Sequence, residues 1–159
     1  MGSRLIRNLV AAVSLTILGA APAIADCFDK RATIIGDFGS AAFTVTVADD
    51  NDSRAQGLMH VPHMPTMSGM LFVYPKPQRA TFWMRNTLIG LDMLFVDSSG
   101  AILAIHENAI PLDETVIDGG DNVFAVLEVN AGMVDRLGVK TGDILQHPAF
   151  GADAIASCD

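Results

Sequence analysis

The sequence predicts a mainly β fold: a β-dominated α+β domain, built as a single antiparallel sandwich or barrel with two short helices. Three features carry that expectation. Apolar residues recur mostly at period 2, short apolar runs alternate with Gly, Pro, Asn and Asp turn signals, and no long segment repeats. Phe43, Val45 and Val47 alternate with Thr44, Thr46 and Ala48, which is the pattern of a half-buried strand. The Asp and Ser cluster of residues 49–53 suits a helix N-cap, and Arg54, Ala55, Leu58 and Met59 would complete two turns.

Further strands are expected at Met70–Tyr74, Ala80–Arg85 and Leu91–Asp97. Pro75 and Pro77 break the first of these from the second. Ser98-Ser99-Gly100 signals a turn, with Ala101–Glu107 returning as the second arm of a hairpin. Val123–Val129 reads as a buried strand, and Ala131–Leu137 as a short helix stopped by Gly138. Gly142-Asp143 turns into a last strand, Ile144–His147.

Residues 1–25 have the design of a signal peptide. Arg4 and Arg7 precede an apolar run from Leu9 to Ala21, and Ala23-Ile24-Ala25 offers small residues for cleavage. The run is shorter than the roughly 20 residues of a membrane span, so no stable span is expected after cleavage. That leaves residues 26–159 as one domain, in a periplasmic or secreted setting. The leader holds two of the ten basic residues and none of the eighteen acidic ones, so the remainder has eight against eighteen, a net charge of −10. Such a chain is repelled by phosphate backbones, which argues against nucleic acid as a partner. Cys27 and Cys158, close to the two ends, are expected to form a disulfide outside the cytosol.

Five segments together resemble one family, the domain of unknown function 192 family. They are RAQGLM (54–59), GMLFVYP (69–75), FWMRNTLIGLDMLFVD (82–97), VLEVNAG (126–132) and RLGVKTGD (136–143), a family-like core over residues 43–145. Gly90 stands where the resemblance leads one to expect proline. The resemblance implies a β-rich fold, often behind a signal peptide, and no activity.

Two constellations could carry chemistry. The first is polar residues set among apolar neighbours: Arg54, Trp83, Arg85, Asn86, Asp92 and Glu128. Such groups are costly to bury unless paired, so they either staple the fold or line a pocket. On a strand, Trp83 and Arg85 would share a face and could stack on and clamp a small ligand carrying a carboxylate. Asn86 would orient that ligand, and Asp92 and Glu128 would hold the arginines. The leading expectation is a non-catalytic periplasmic protein that binds a small molecule or assists an envelope protein, with no cofactor. A carboxylate-dependent enzyme acting on a glycan-like substrate is a second reading, if Asp92 and Glu128 converge. The second constellation is Met59, His60, His63, Met64, Met67 and Met70. Thioether and imidazole groups suit copper, so a Met/His copper-binding protein is a third reading. Methionine is also a general core filler, and Pro62 and Pro65 prevent one helix from aligning the set. No nucleophile elbow, phosphate-cradling loop or dinucleotide fingerprint is present.

Overall fold

The computed structural model describes residues 27–158; the expected signal peptide lies outside them. The chain opens with a hairpin, β1 (Arg31–Gly36) and β2 (Gly39–Ala48), turning at Gly39 with φ 103°. Helix α1 (Asn51–Gln56) follows, and then β3 (Ser68–Gln78), β4 (Thr81–Phe82), β5 (Leu91–Val96) and β6 (Ile102–Ala109). The remaining elements are β7 (Ile117–Asp118), β8 (Val123–Asn130), α2 (Met133–Leu137) and β9 (Ile144–Gln146), followed by one turn of 3-10 helix at Pro148–Phe150. Seven strands form one sheet in the order β6-β5-β8-β3-β2-β1-β9, while β4 and β7 pair separately. The fold is thus mainly β with two short helices, as the alternation implied.

The sheet curls until its edges meet at one end. Ala101, just ahead of β6, bridges Ile144 in β9. Leu145 N donates to Gly100 O at 2.7 Å and Ile102 N to Asp143 O at 2.9 Å. Glycine is needed at 100: φ is 89°, and a Cβ there would lie 2.7 Å from the Leu145 carbonyl oxygen. This partial closure protects two edges that would otherwise present unpaired backbone.

All pairings are antiparallel except β2 with β3, which run parallel. A parallel pair needs a crossover, and residues 49–67, with α1, provide it. Asp50 fixes where that crossover turns helical. Its carboxylate accepts from Asp52 N (2.9 Å) and Ser53 N (3.0 Å), and Ser53 answers with a bond to the Asp50 backbone.

Two apolar cores result. One draws on all seven sheet strands, with Phe43, Leu71, Leu94, Leu127 and Leu145 among its buried members, and so fills the inside of the curl. The other lies on the outer face, where Phe72, Met93, Phe95 and Val126 meet Leu58 and Met84 from the covering loops. The central strands are therefore buried on both sides, and every residue of β5 is inaccessible.

The two ends of the described residues are fastened together. Cys27 is bonded to Cys158, with Cα atoms 5.5 Å apart. Beside them, His147 is buried, with Nε2 2.9 Å from Asp29 O and Nδ1 accepting from Ala149 N at 3.1 Å. That pattern fixes the neutral tautomer with the proton on Nε2, and burial lowers the imidazole's proton affinity. Reducing the disulfide, or changing both cysteines to serine, is expected to lower stability by about 2–4 kcal/mol. Paired thermal melts with and without reductant check this, and superimposable melts would deny the bridge a stabilising role.

Among the described residues, no helix is long and apolar enough to cross a membrane.

Candidate functional site

A cavity of about 250 Å³ opens on the outer face of the sheet, between α1 and residues 81–87. Strand pairing decides which side chains reach it. Glu128 of β8 stands opposite Met70 of β3 and Met93 of β5, so these three project to the outer face. Phe72 and Tyr74 follow Met70 along β3 at the strand period and form one wall. Phe82 and Trp83 form another wall, while Arg54 and Gly57 of the α1 segment close the rim together with Met59. Phe82 packs edge-on to Phe72, with ring centroids 5.2 Å apart, which locks the two aromatic walls to each other.

Glu128 is the polar group at the base. It is 4% exposed, and among the described residues no side chain or backbone donor bonds to its carboxyl. Burial alone pushes its proton affinity up to about 8, so at neutral pH the acid is mostly protonated. Above it, burial raises the Tyr74 phenol, with Arg54 opposing that shift and Glu128 adding to it. Arg54 is held in place: Nη1 donates to Val73 O at 2.9 Å and Nη2 to Asn51 Oδ1 at 2.6 Å. Its guanidinium lies over the Tyr74 ring, 5.8 Å from the centroid.

Of the six polar residues singled out in the sequence, the cavity therefore gathers three: Arg54, Trp83 and Glu128. Arg85 is exposed and stacks on Trp83 with its Cζ 5.4 Å from the ring centroid, outside the cavity lining. The two side chains do associate, though not on a pleated strand, because β4 ends at Phe82. Asn86 works in the loop that frames the mouth. It takes φ 55°, a conformation asparagine tolerates, and its carbonyl accepts from His60 N at 2.8 Å. Beside it, Met59 bridges to Thr87, so residues 57–61 and 84–87 are zipped together.

Asp92 does not hold an arginine. It pairs with Val129 and so faces the side of the sheet opposite to Glu128. Fully buried there, it accepts from Asn108 N at 2.8 Å and from Val134 N, at the start of α2, at 2.9 Å. Glu128 holds no arginine either. The two carboxylates, on opposite faces, cannot flank one substrate bond, which removes the geometric basis of the glycosidase-like reading.

The methionine and histidine set is divided. Met59 lines the first cavity, whereas His63, Met64 and Met70 line a second one beside β2. Met64 is buried in the outer core, Met67 is 38% exposed, and His60 is an exposed residue at φ 64°. Among the described residues, no three His, Cys, Asp or Glu side chains gather as a metal site. Tyr74, Phe72, Phe82 and Met59 are among the cavity residues that sequence reasoning did not join to Glu128. For Phe72 and Tyr74 the signal was the strand period running from Met70 through Phe72 to Tyr74.

Every lining residue except Thr81 comes from the segments RAQGLM, GMLFVYP, FWMRNT and VLEVNAG. The profile of domain of unknown function 192, described as "Uncharacterized ACR", matches residues 33–147. The chain belongs to the DUF192 family. Two solved structures are similar to this DUF192 protein. One, from Sinorhizobium meliloti 1021 and provisionally named a transcription regulator, is 44% identical with a TM-score of 0.73. It aligns over 75% of this chain and 93% of its own. The other is a protein of unknown function from Novosphingobium aromaticivorans DSM 12444, 38% identical with a TM-score of 0.71. It aligns over 80% of this chain and 93% of its own. No curated protein matches the chain.

Proposed function

We propose that this DUF192 protein is a non-catalytic small-ligand-binding module that works in the periplasm or outside the cell. The observation that carries the reading is Glu128: a nearly buried carboxyl without a protein donor, its oxygens open to an aromatic-walled cavity. Burying such a group without a partner costs free energy that only a ligand or water can return. Aromatic walls around a few convergent polar atoms are the usual composition of a small-molecule site. The volume, about 250 Å³, is slightly below the ~300 Å³ at which drug-sized pockets begin, so the ligand is small. Trp83 is 46% exposed and can stack on that ligand from the mouth. The bond between Cys27 and Cys158 supports a setting where disulfides persist. A net charge of −8 for the whole chain disfavours DNA, whatever the named role of the Sinorhizobium relative.

Small aromatic fragments added during heteronuclear NMR should move the Trp83 indole and Met59 methyl signals first. Trp83→Ala should weaken such fragments by about tenfold or more while changing the melting temperature little, because the side chain contributes more to the cavity wall than to the core. If the variant unfolds, or if fragments settle elsewhere, the reading fails.

A further inference from the structure

The chemistry of the ligand can be taken one step further, resting on the cavity reading above. We propose that the cavity selects a small organic cation, a primary ammonium or an amidine on a flat apolar body, with its N–H groups on the Glu128 carboxylate and its flat body against the aromatic walls.

Three observations point to a cation rather than an anion. The group at the base is an acid that becomes an anion on losing its proton. Its oxygens then only accept, so the ligand that complements the ionised form is a cationic donor. The walls around it are aromatic, and two of them, Tyr74 and Trp83, already carry a guanidinium over the ring, so this environment accommodates positive charge. The one cationic side chain in the lining, Arg54, already donates to Val73 O and to Asn51 and lies over Tyr74. An entering anion would face the Glu128 acid at the base and find its only countercharge in Arg54 at the rim, whereas a cation pairs with the acid itself. Arg54 at the rim then repels a second positive charge, which restricts the ligand to one cationic end.

The charged and titratable groups around Glu128 are few. Arg54 comes from α1 and Tyr74 from β3; the facing position of β5 is Met93, and residues 81–87 bring only Arg85, turned outward onto Trp83. Entry of an ammonium into the site therefore proceeds with transfer of the Glu128 proton to solvent. The O–H bond breaks, one proton leaves, and the carboxylate and ammonium form a pair whose net charge is zero. No oxidant or second reactant is involved.

Benzylamine, benzyl alcohol and benzoate share one ring and differ in charge, so they separate the possibilities. Calorimetry at pH 7 in two buffers of different ionisation heat measures affinity and proton release together, and the Trp83 indole signal reports occupancy. Benzylamine is expected to bind about tenfold or more tighter than either analogue and to release close to one proton. Glu128→Gln, which keeps the shape, should lose both the preference and the proton release while still binding benzyl alcohol. Benzoate or benzyl alcohol binding as well as benzylamine would overturn the cation assignment and leave the cavity reading in place. So would benzylamine binding that Glu128→Gln does not weaken. If none of the three probes moves the Trp83 signal, both readings fall.

Discussion

Asp92→Ala is expected to lower the stability of the domain by about 4 kcal/mol or more, the largest effect of any single side chain considered. The carboxylate is wholly buried, and it alone satisfies two backbone N–H groups, at Asn108 and Val134. Each orphaned donor costs about 1–3 kcal/mol, and the lost charge-assisted bonds and the cavity add to that. Since small domains are stable by about 5–15 kcal/mol, the variant will approach the threshold of unfolding. The bonds also join distant parts of the chain. Asn108 sits near the end of β6 at φ 55°, and Val134 sits in the first turn of α2, whose N-cap Gly132 offers no side-chain cap. Asp92→Asn retains one acceptor oxygen and should lose about half as much. Urea titration of the three proteins measures the series; a loss under about 1 kcal/mol for alanine would mean that water replaces the carboxylate.

Why Asp92 was legible as a buried polar group that must be paired, but not as the acceptor of two backbone N–H groups, follows from the two-sided burial of β5. In a sheet with one wet face, alternation tells which residues point inward. In β5 and β8 both faces are covered, so Leu91–Val96 reads as a continuous apolar run with an acid in it. Nothing local in that run assigns Asp92 and Glu128 to opposite faces; the register Asp92↔Val129 and Met93↔Glu128 does. The half-buried strands were easier to read, and β2 falls where Phe43, Val45 and Val47 place it. Strand β1 was missed because its buried Ala32, Thr33 and Ile34 are consecutive rather than alternating. The segment 80–85 failed as a strand for another reason. Only Thr81 and Phe82 find a partner, in β7, so its propensity had no sheet to join. Conversely, β3 continues through Pro75 and Pro77, where its pairing with β8 lapses after Val73 and resumes at Gln78. The grouping of Arg54, Trp83 and Glu128 was legible as a set of polar residues that burial would punish. The partners that make it a cavity depend on the parallel β2–β3 crossover, which brings α1 over the outer face of β3 and β8.

Glu128 should give the domain an unusual dependence of stability on pH. Its carboxyl has an ordinary value of 4.5 in the unfolded chain and about 8 in the folded one. Below about pH 4.5 it is protonated in both states and contributes no penalty. Between the two values the unfolded chain gives up the proton and the folded one keeps it. Stability therefore falls as pH rises, by up to about 1.4 kcal/mol per pH unit, and levels off above about 8. At pH 7 the accumulated cost is on the order of 3 kcal/mol. Glu128→Gln removes that titration, so the difference between variant and parent isolates it from every other group, His147 included. The variant is expected to gain on the parent steadily from pH 5 to pH 8, and to be more stable by a few kcal/mol at the upper end. Parallel stability profiles for the two proteins across that range would mean that Glu128 is not held protonated by the fold. A substitution that stabilises at the base of a cavity also has a functional sense. The domain tolerates a buried acid that it does not itself pair, and a ligand able to pair it would recover in binding the stability that the free protein lacks. The same benzylamine that releases a proton should then flatten the parent's profile, raising its stability more at pH 8 than at pH 5 and leaving Glu128→Gln almost unmoved.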